Sequence, residues 1–85
     1  MALEIKLTKT PYKYLQALDR STRERIREKL QAIAENPQDA RLSKPLTNSS
    51  KRSARVGTYR ILFETDEKSL IVAEIGPRGQ VYRKA

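Results

Sequence analysis

Three groups of side chains in this sequence have types and spacings that suit work on a phosphate: Arg60, set inside the apolar run Tyr59, Ile61, Leu62 and Phe63; Lys51, Arg52 and Arg55 just before it; and Arg78 with Tyr82 near the end of the chain. Arginine offers a planar fork of donors that matches two phosphate oxygens at once, but it is too basic to accept a proton. A lysine or tyrosine flanked by other cations gives up its proton more readily and can take part in proton transfer. Such a set would serve RNA cleavage by the 2′-hydroxyl, which needs a proton acceptor, cations on the phosphorane oxygens and help for the departing 5′ oxygen. DNA has no 2′-hydroxyl for this route.

Alternatives accompany each group. Arg60 could make a structural ion pair, with Glu74 the nearest acid in the pattern, or snorkel at a sheet edge. Arg78, in a Gly/Pro turn, could be an ordinary exposed loop residue, and Tyr82 a tyrosine at the edge of the core. Lys51, Arg52 and Arg55 could hold phosphate without catalysis.

What the sequence lacks narrows the chemistry. It has no cysteine and no histidine, which removes disulfides, thiol nucleophiles, the commonest general base and most transition-metal sites together. Asp66 and Glu67 fall in a turn and read as solvated, so neither a metal nor a cofactor is expected. No run approaches the roughly 20 apolar residues of a membrane span, and the sequence reads as a soluble cytoplasmic protein without a membrane partner.

The net charge is +8, which favours a polyanionic partner, nucleic acid before an acidic protein. From Met1 to Asp39 eight basic residues face six acidic ones; from Ala40 to Phe63 six basic residues face none. The unbalanced charge therefore lies in the second half of the chain.

The elements that must position these residues follow from periodicity. Leu3, Ile5 and Leu7 alternate with polar residues as in a strand with one buried face. Thr10-Pro11 reads as an N-cap with proline at the first helical position, and Leu15 and Leu18 supply the apolar side of that helix. Ser21 and Glu24 fit a capping box for a second helix. Ile26, Leu30, Ile33 and Ala34 form its buried stripe, and Asn36-Pro37 ends it. Residues 38–50 read as a loop. Then come three strands, "SARVG", "TYRILFET" and "LIVAEIG", the last with Ile71, Ala73 and Ile75 on one side, Leu70 and Val72 on the other, and both faces covered. Gly76, Pro77 and Gly79 shape a turn around Arg78. The expected fold is a single α+β domain over 1–85 in the order β-α-α-β-β-β. A helical hairpin covers one face of a small, mainly antiparallel sheet and leaves the other face open and basic.

"RVGTYRILFE", the later "IGPRGQVY", the "NP" after the second helix, the "KPL" of the loop and the element order together resemble the RelE/ParE superfamily of bacterial toxins, over essentially the whole chain. The RelE branch is similar in keeping an arginine in the Tyr-Arg strand, one in the turn and a tyrosine near the end, which correspond to Arg60, Arg78 and Tyr82. This resemblance implies a toxin of a type II toxin-antitoxin system that cleaves mRNA on translating ribosomes without metal, and a cognate antitoxin that covers the basic face. Ser53 stands where a second basic residue is common, so Arg55 carries over best, with Lys51 or Arg52 as substitutes. Two other readings share the fold or the charge: a ParE-like gyrase inhibitor, whose branch generally lacks the turn arginine and late tyrosine together, and a non-catalytic RNA- or ribosome-binding module.

Overall fold

A computed structural model of the chain describes residues 2–46 and 50–77. Strand β1 (Glu4–Leu7) leads into helices α1 (Lys9–Ala17) and α2 (Arg20–Glu35), followed by β2 (Lys44–Pro45), β3 (Arg52–Val56), β4 (Tyr59–Thr65) and β5 (Ser69–Pro77). The strands form one sheet in the order β1-β5-β4-β3-β2. All neighbours are antiparallel except β1 and β5, which run parallel with Ile5 beside Leu70. The helical hairpin packs on one face, as expected. No helix among the described residues is long and apolar enough to cross a membrane.

Both helices start earlier than the sequence reading placed them. Thr8, not Thr10, is the N-cap of α1, and its hydroxyl donates to the carbonyl of Val72 at 3.1 Å instead of capping. Pro11 thus occupies the third helical position, where its missing N–H is one of the four that have no intrahelical acceptor. Asp19, not Ser21, caps α2: its carboxylate accepts from Thr22 N at 3.1 Å and from Thr22 Oγ1 at 2.7 Å. The ionised cap satisfies a first-turn donor and meets the positive end of the helix dipole, an advantage over a serine hydroxyl.

Within 38–50, Lys44 and Pro45 pair with Ser53 and Arg52 as a further, edge strand. Two residues show no periodicity, and Pro45 is tolerated because an edge leaves one side of the strand without a ladder. Gly76 and Pro77, expected in a turn, instead extend β5, with Tyr59 opposite Pro77. A register shift opposite Leu62 and Phe63 also breaks the alternation in β5. Leu62 faces Glu74 and Phe63 faces Val72, so Ala73 is the extra residue of a bulge. Ile75 therefore joins Leu70 and Val72 on the helix side, rather than Ile71 and Ala73.

The helix-side core joins Leu15, Ile26, Leu30 and Ile33 to Ala54, Ile61, Phe63, Leu70 and Val72. Tyr59 lies at its rim, edge-on to Tyr14 with ring centroids 6.3 Å apart. The β3-β4 hairpin turns on Gly57, whose φ of 59° lies in the left-handed region. An added Cβ there would meet the guanidinium of Arg25 at 3.4 Å, an end that can swing away, so the strain of a substitution is in the backbone. Gly57→Ala is expected to lose about 1–2 kcal/mol, read as a Tm lowered by about 4–8 °C per kcal/mol in a domain of this size. An unchanged midpoint would mean that the hairpin relaxes to another turn.

Candidate nucleic-acid interface

In an antiparallel ladder, residues directly opposite each other project from the same face. Ala54 faces Ile61 and Arg52 faces Phe63, all toward the helices; Ser53 faces Leu62 and Arg55 faces Arg60, away from them. The helix-free face of β3 and β4 thus carries Ser53, Arg55, Arg60 and Leu62. Lys44, opposite Ser53 on the edge strand, belongs to the same face.

Arg60, the second residue of β4, is only 8% exposed and shares this face with a fully buried Leu62. Its Nη1 donates to Ser53 Oγ at 3.1 Å, which directs the guanidinium along the ladder, away from the Gly57 turn. Among the described residues it forms no ion pair with Glu74. Arg55 is exposed and lies directly across from it. Like charges directly opposite in a ladder disfavour each other, and an anion bound between the two would offset that cost.

The residues grouped with Arg55 in the sequence divide between the two faces. Lys51 Nζ lies 3.8 Å from Glu64 Oε1, the same oxygen that accepts from Ser50 Oγ at 3.0 Å. Arg52 points to the helix side and is spent on structure: its Nε donates to Ser43 Oγ at 2.9 Å and its Nη2 to the Ser43 carbonyl at 3.1 Å. Those bonds tie the loop that precedes β2 to the sheet. Arg78 and Tyr82 lie outside the described residues.

Arg55 and Arg60 form one wall of a groove of about 380 Å³ whose other side is the 40–46 segment, with Lys29 of α2 also at its lining. Arg41 and Lys44 add two further cations, and among the described residues no carboxylate lines it. Arg41 is held by Asp39 through Nε to Oδ1 at 3.1 Å and Nη2 to Oδ2 at 2.8 Å. Those hydrogen bonds, with the backbone N–H of Arg41, hold the Asp39 carboxyl down at about 2. Lys29, Lys44 and Arg55 form no ion pair among the described residues.

Sequence reasoning missed Lys29, Arg41 and Lys44 as members of this site. Arg41 and Lys44 stood in the acid-free stretch and were passed over as loop. Lys29 carries a subtler signal: its neighbours at three and four residues are Arg25, Ile26, Ala32 and Ile33, so no carboxylate on its own helix face can neutralise it. The assembled groove has the charge to bind an extended polyanion, with the buried guanidinium of Arg60 and the cations of Arg55, Lys29, Arg41 and Lys44 on its lining.

Comparison with known proteins gives the following. The family model of the ParE toxin of type II toxin-antitoxin systems, parDE, matches residues 5–82. No curated protein matches the chain. Among solved structures, the toxin in the RelBE2 toxin-antitoxin complex of Mycobacterium tuberculosis is 24% identical with a TM-score of 0.79, over 92% of this chain and 100% of that one. A double arginine-to-alanine mutant of the E. coli toxin RelE in the free state is 23% identical with a TM-score of 0.81, over 100% and 95%. The archaeal RelE-RelB complex from Pyrococcus horikoshii gives 22% and 0.76, over 94% and 99%. At these identities the likeness is one of fold, and it covers both chains nearly end to end.

Proposed function

The chain belongs to the ParE toxin family of type II toxin-antitoxin systems, within the RelE/ParE superfamily, and from that premise we propose that this toxin is a metal-independent endoribonuclease that cleaves mRNA on translating ribosomes in the cytoplasm. The observation that carries this reading is the Arg55-Arg60 pair, opposed across the hairpin on the helix-free face, with Arg60 buried and fixed by Ser53. A gyrase-binding surface needs charge but no aimed guanidinium. A phosphorane needs donors fixed in advance where its charge develops.

In the proposed reaction the substrate's 2′ oxygen loses its proton and bonds to the adjacent phosphorus. The bond from phosphorus to the 5′ oxygen breaks, and that oxygen takes a proton. The products are a 2′,3′-cyclic phosphate and a 5′-hydroxyl. Arg60 holds the non-bridging oxygens, and Arg55 supports it from the exposed side. By resemblance, Arg78 adds a further donor and Tyr82 a proton-transfer or orienting hydroxyl. No step calls for a metal or an organic cofactor. The partner that silences the toxin is a cognate antitoxin, as in the RelBE complexes the fold resembles, and a locally acidic one suits a face of this charge.

The family's ParE description supports a second reading, inhibition of gyrase. Brief induction of the toxin without antitoxin separates the two. The nuclease reading expects growth arrest and new RNA 5′ ends inside translated reading frames within minutes, with intact DNA. Gyrase-dependent DNA breaks with unchanged transcripts would replace it by the gyrase reading.

A further inference from the structure

Lys29 is half-buried, sits on a helix whose other charges are nearly balanced, and lines the same groove as Arg55 and Arg60. We infer that Lys29, together with Lys44, forms a second phosphate subsite, which holds the backbone of single-stranded RNA one or more nucleotides away from the phosphate bound at Arg60. The inference rests on the nuclease reading above and extends it from one phosphate to a track that crosses the sheet edge onto α2.

Three observations carry it. First, Lys29, Lys44 and Arg55 converge on one groove without a carboxylate partner among the described residues. Surface lysines normally disperse or pair, and three uncompensated cations on one concavity repel each other until an anion enters. Second, the groove's volume of about 380 Å³ is at the low end for a ligand pocket, enough for a nucleotide unit but not for a duplex. Third, its walls are braced. Arg52 ties Ser43 to the sheet, and Asp39 fixes Arg41 at the start of the same segment, so Lys44 is presented from a positioned backbone instead of a loose loop. Arg41 adds less net field than its charge suggests, because Asp39 already neutralises it. The balance of the groove falls to Lys29 and Lys44.

The test uses oligonucleotides with 2′-O-methyl groups, which lack the nucleophile and bind without being cut. Affinity of the wild type, Lys29→Ala and Arg23→Ala proteins is measured for a dinucleotide and an octanucleotide over a range of salt. For the octanucleotide, Lys29→Ala is expected to flatten the slope of log K against log salt by about 0.7, the value for one lost single-strand phosphate contact. The dinucleotide, too short to reach the second subsite, is expected to bind the wild type and Lys29→Ala alike, and Arg23→Ala, which lines a different groove, to match the wild type throughout. In single-turnover cleavage of mRNA on programmed ribosomes, Lys29→Ala is expected to raise the half-saturating concentration more than it lowers the maximal rate. An unchanged slope for Lys29→Ala, or an equal loss with both lengths, overturns the subsite while leaving the nuclease reading standing. If the wild type binds neither oligonucleotide but binds an acidic peptide with an affinity that Lys29→Ala lowers, the subsite fails and the groove belongs to a protein partner, while the nuclease reading stands or falls on the induction experiment above.

Discussion

Arg60→Ala is expected to lower the single-turnover cleavage rate by about 10²–10³-fold, the loss seen when one preorganised donor to a developing oxyanion is removed, while the protein stays folded. The second half of that expectation gives the first its meaning. The described hydrogen bond of the guanidinium, to Ser53 Oγ, contributes about 1 kcal/mol net. Burial of a cation at 8% exposure and the charge of Arg55 directly opposite offset part of what its contacts and packing contribute. Removing Arg60 is therefore expected to lower the thermal midpoint only modestly and to leave the protein folded. Arg60→Lys keeps the charge but loses the planar fork, so it recovers only part of the rate. A cleavage loss that tracks a large fall in thermal midpoint would assign Arg60 to the fold, and a wild-type rate in a folded Arg60→Ala protein would remove it from the reaction.

The parts of this molecule that could be read in advance are those in which several residues say the same thing. Leu3, Ile5 and Leu7 announce a half-buried strand, and Ile26, Leu30 and Ile33 announce the stripe of α2, because each pattern repeats over more than one turn or pleat. The helical hairpin and the element order, apart from the short edge strand β2, followed from these repeats. Features set by a single residue were misplaced. The capping box read at Ser21 gives way to Asp19, two residues earlier, whose carboxylate takes both the N–H and the hydroxyl of Thr22. The bulge at Ala73 reverses the side of Ile75, although nothing in "LIVAEIG" marks it. Arg52 is a different case: the period of two already separates it from Lys51 and Arg55, but nearness in sequence grouped them. The site itself was legible in its centre, where Arg60 interrupts an apolar run, and not at its rim. Lys29 belongs to the groove only because the fold brings α2 to the same lining as the 40–46 segment, a tertiary fact with no local trace beyond a missing acid.

Phe63 stands next to Leu62 and three residues beyond Arg60 on the same strand, yet it points to the other side and is expected to fail in the opposite way. It is fully buried in the helix-side core with Ile26, Ile33 and Val72. Truncation to alanine removes a whole ring from a site that backbone pairing on both sides keeps from collapsing, and such changes cost about 3–5 kcal/mol. A chain of this length has roughly 4–13 kcal/mol in total at ~0.05–0.15 kcal/mol per residue, so isolated Phe63→Ala is expected to be partly or wholly unfolded at 37 °C and to lose toxicity with its fold. A binding partner changes that balance, because a ligand that recognises only the folded state adds about 2.7 kcal/mol at a free concentration 100 times its Kd. Co-expression with the antitoxin is therefore expected to return Phe63→Ala to a soluble complex with native-like circular dichroism, and removal of the antitoxin to unfold it again. Arg60→Ala should behave in reverse, folded alone and inactive in either state. A Phe63→Ala protein with the wild-type midpoint would show that the helices do not rest on this ring. The same result would undo the premise that the helix side of β4 carries the stability while the opposite side carries the chemistry.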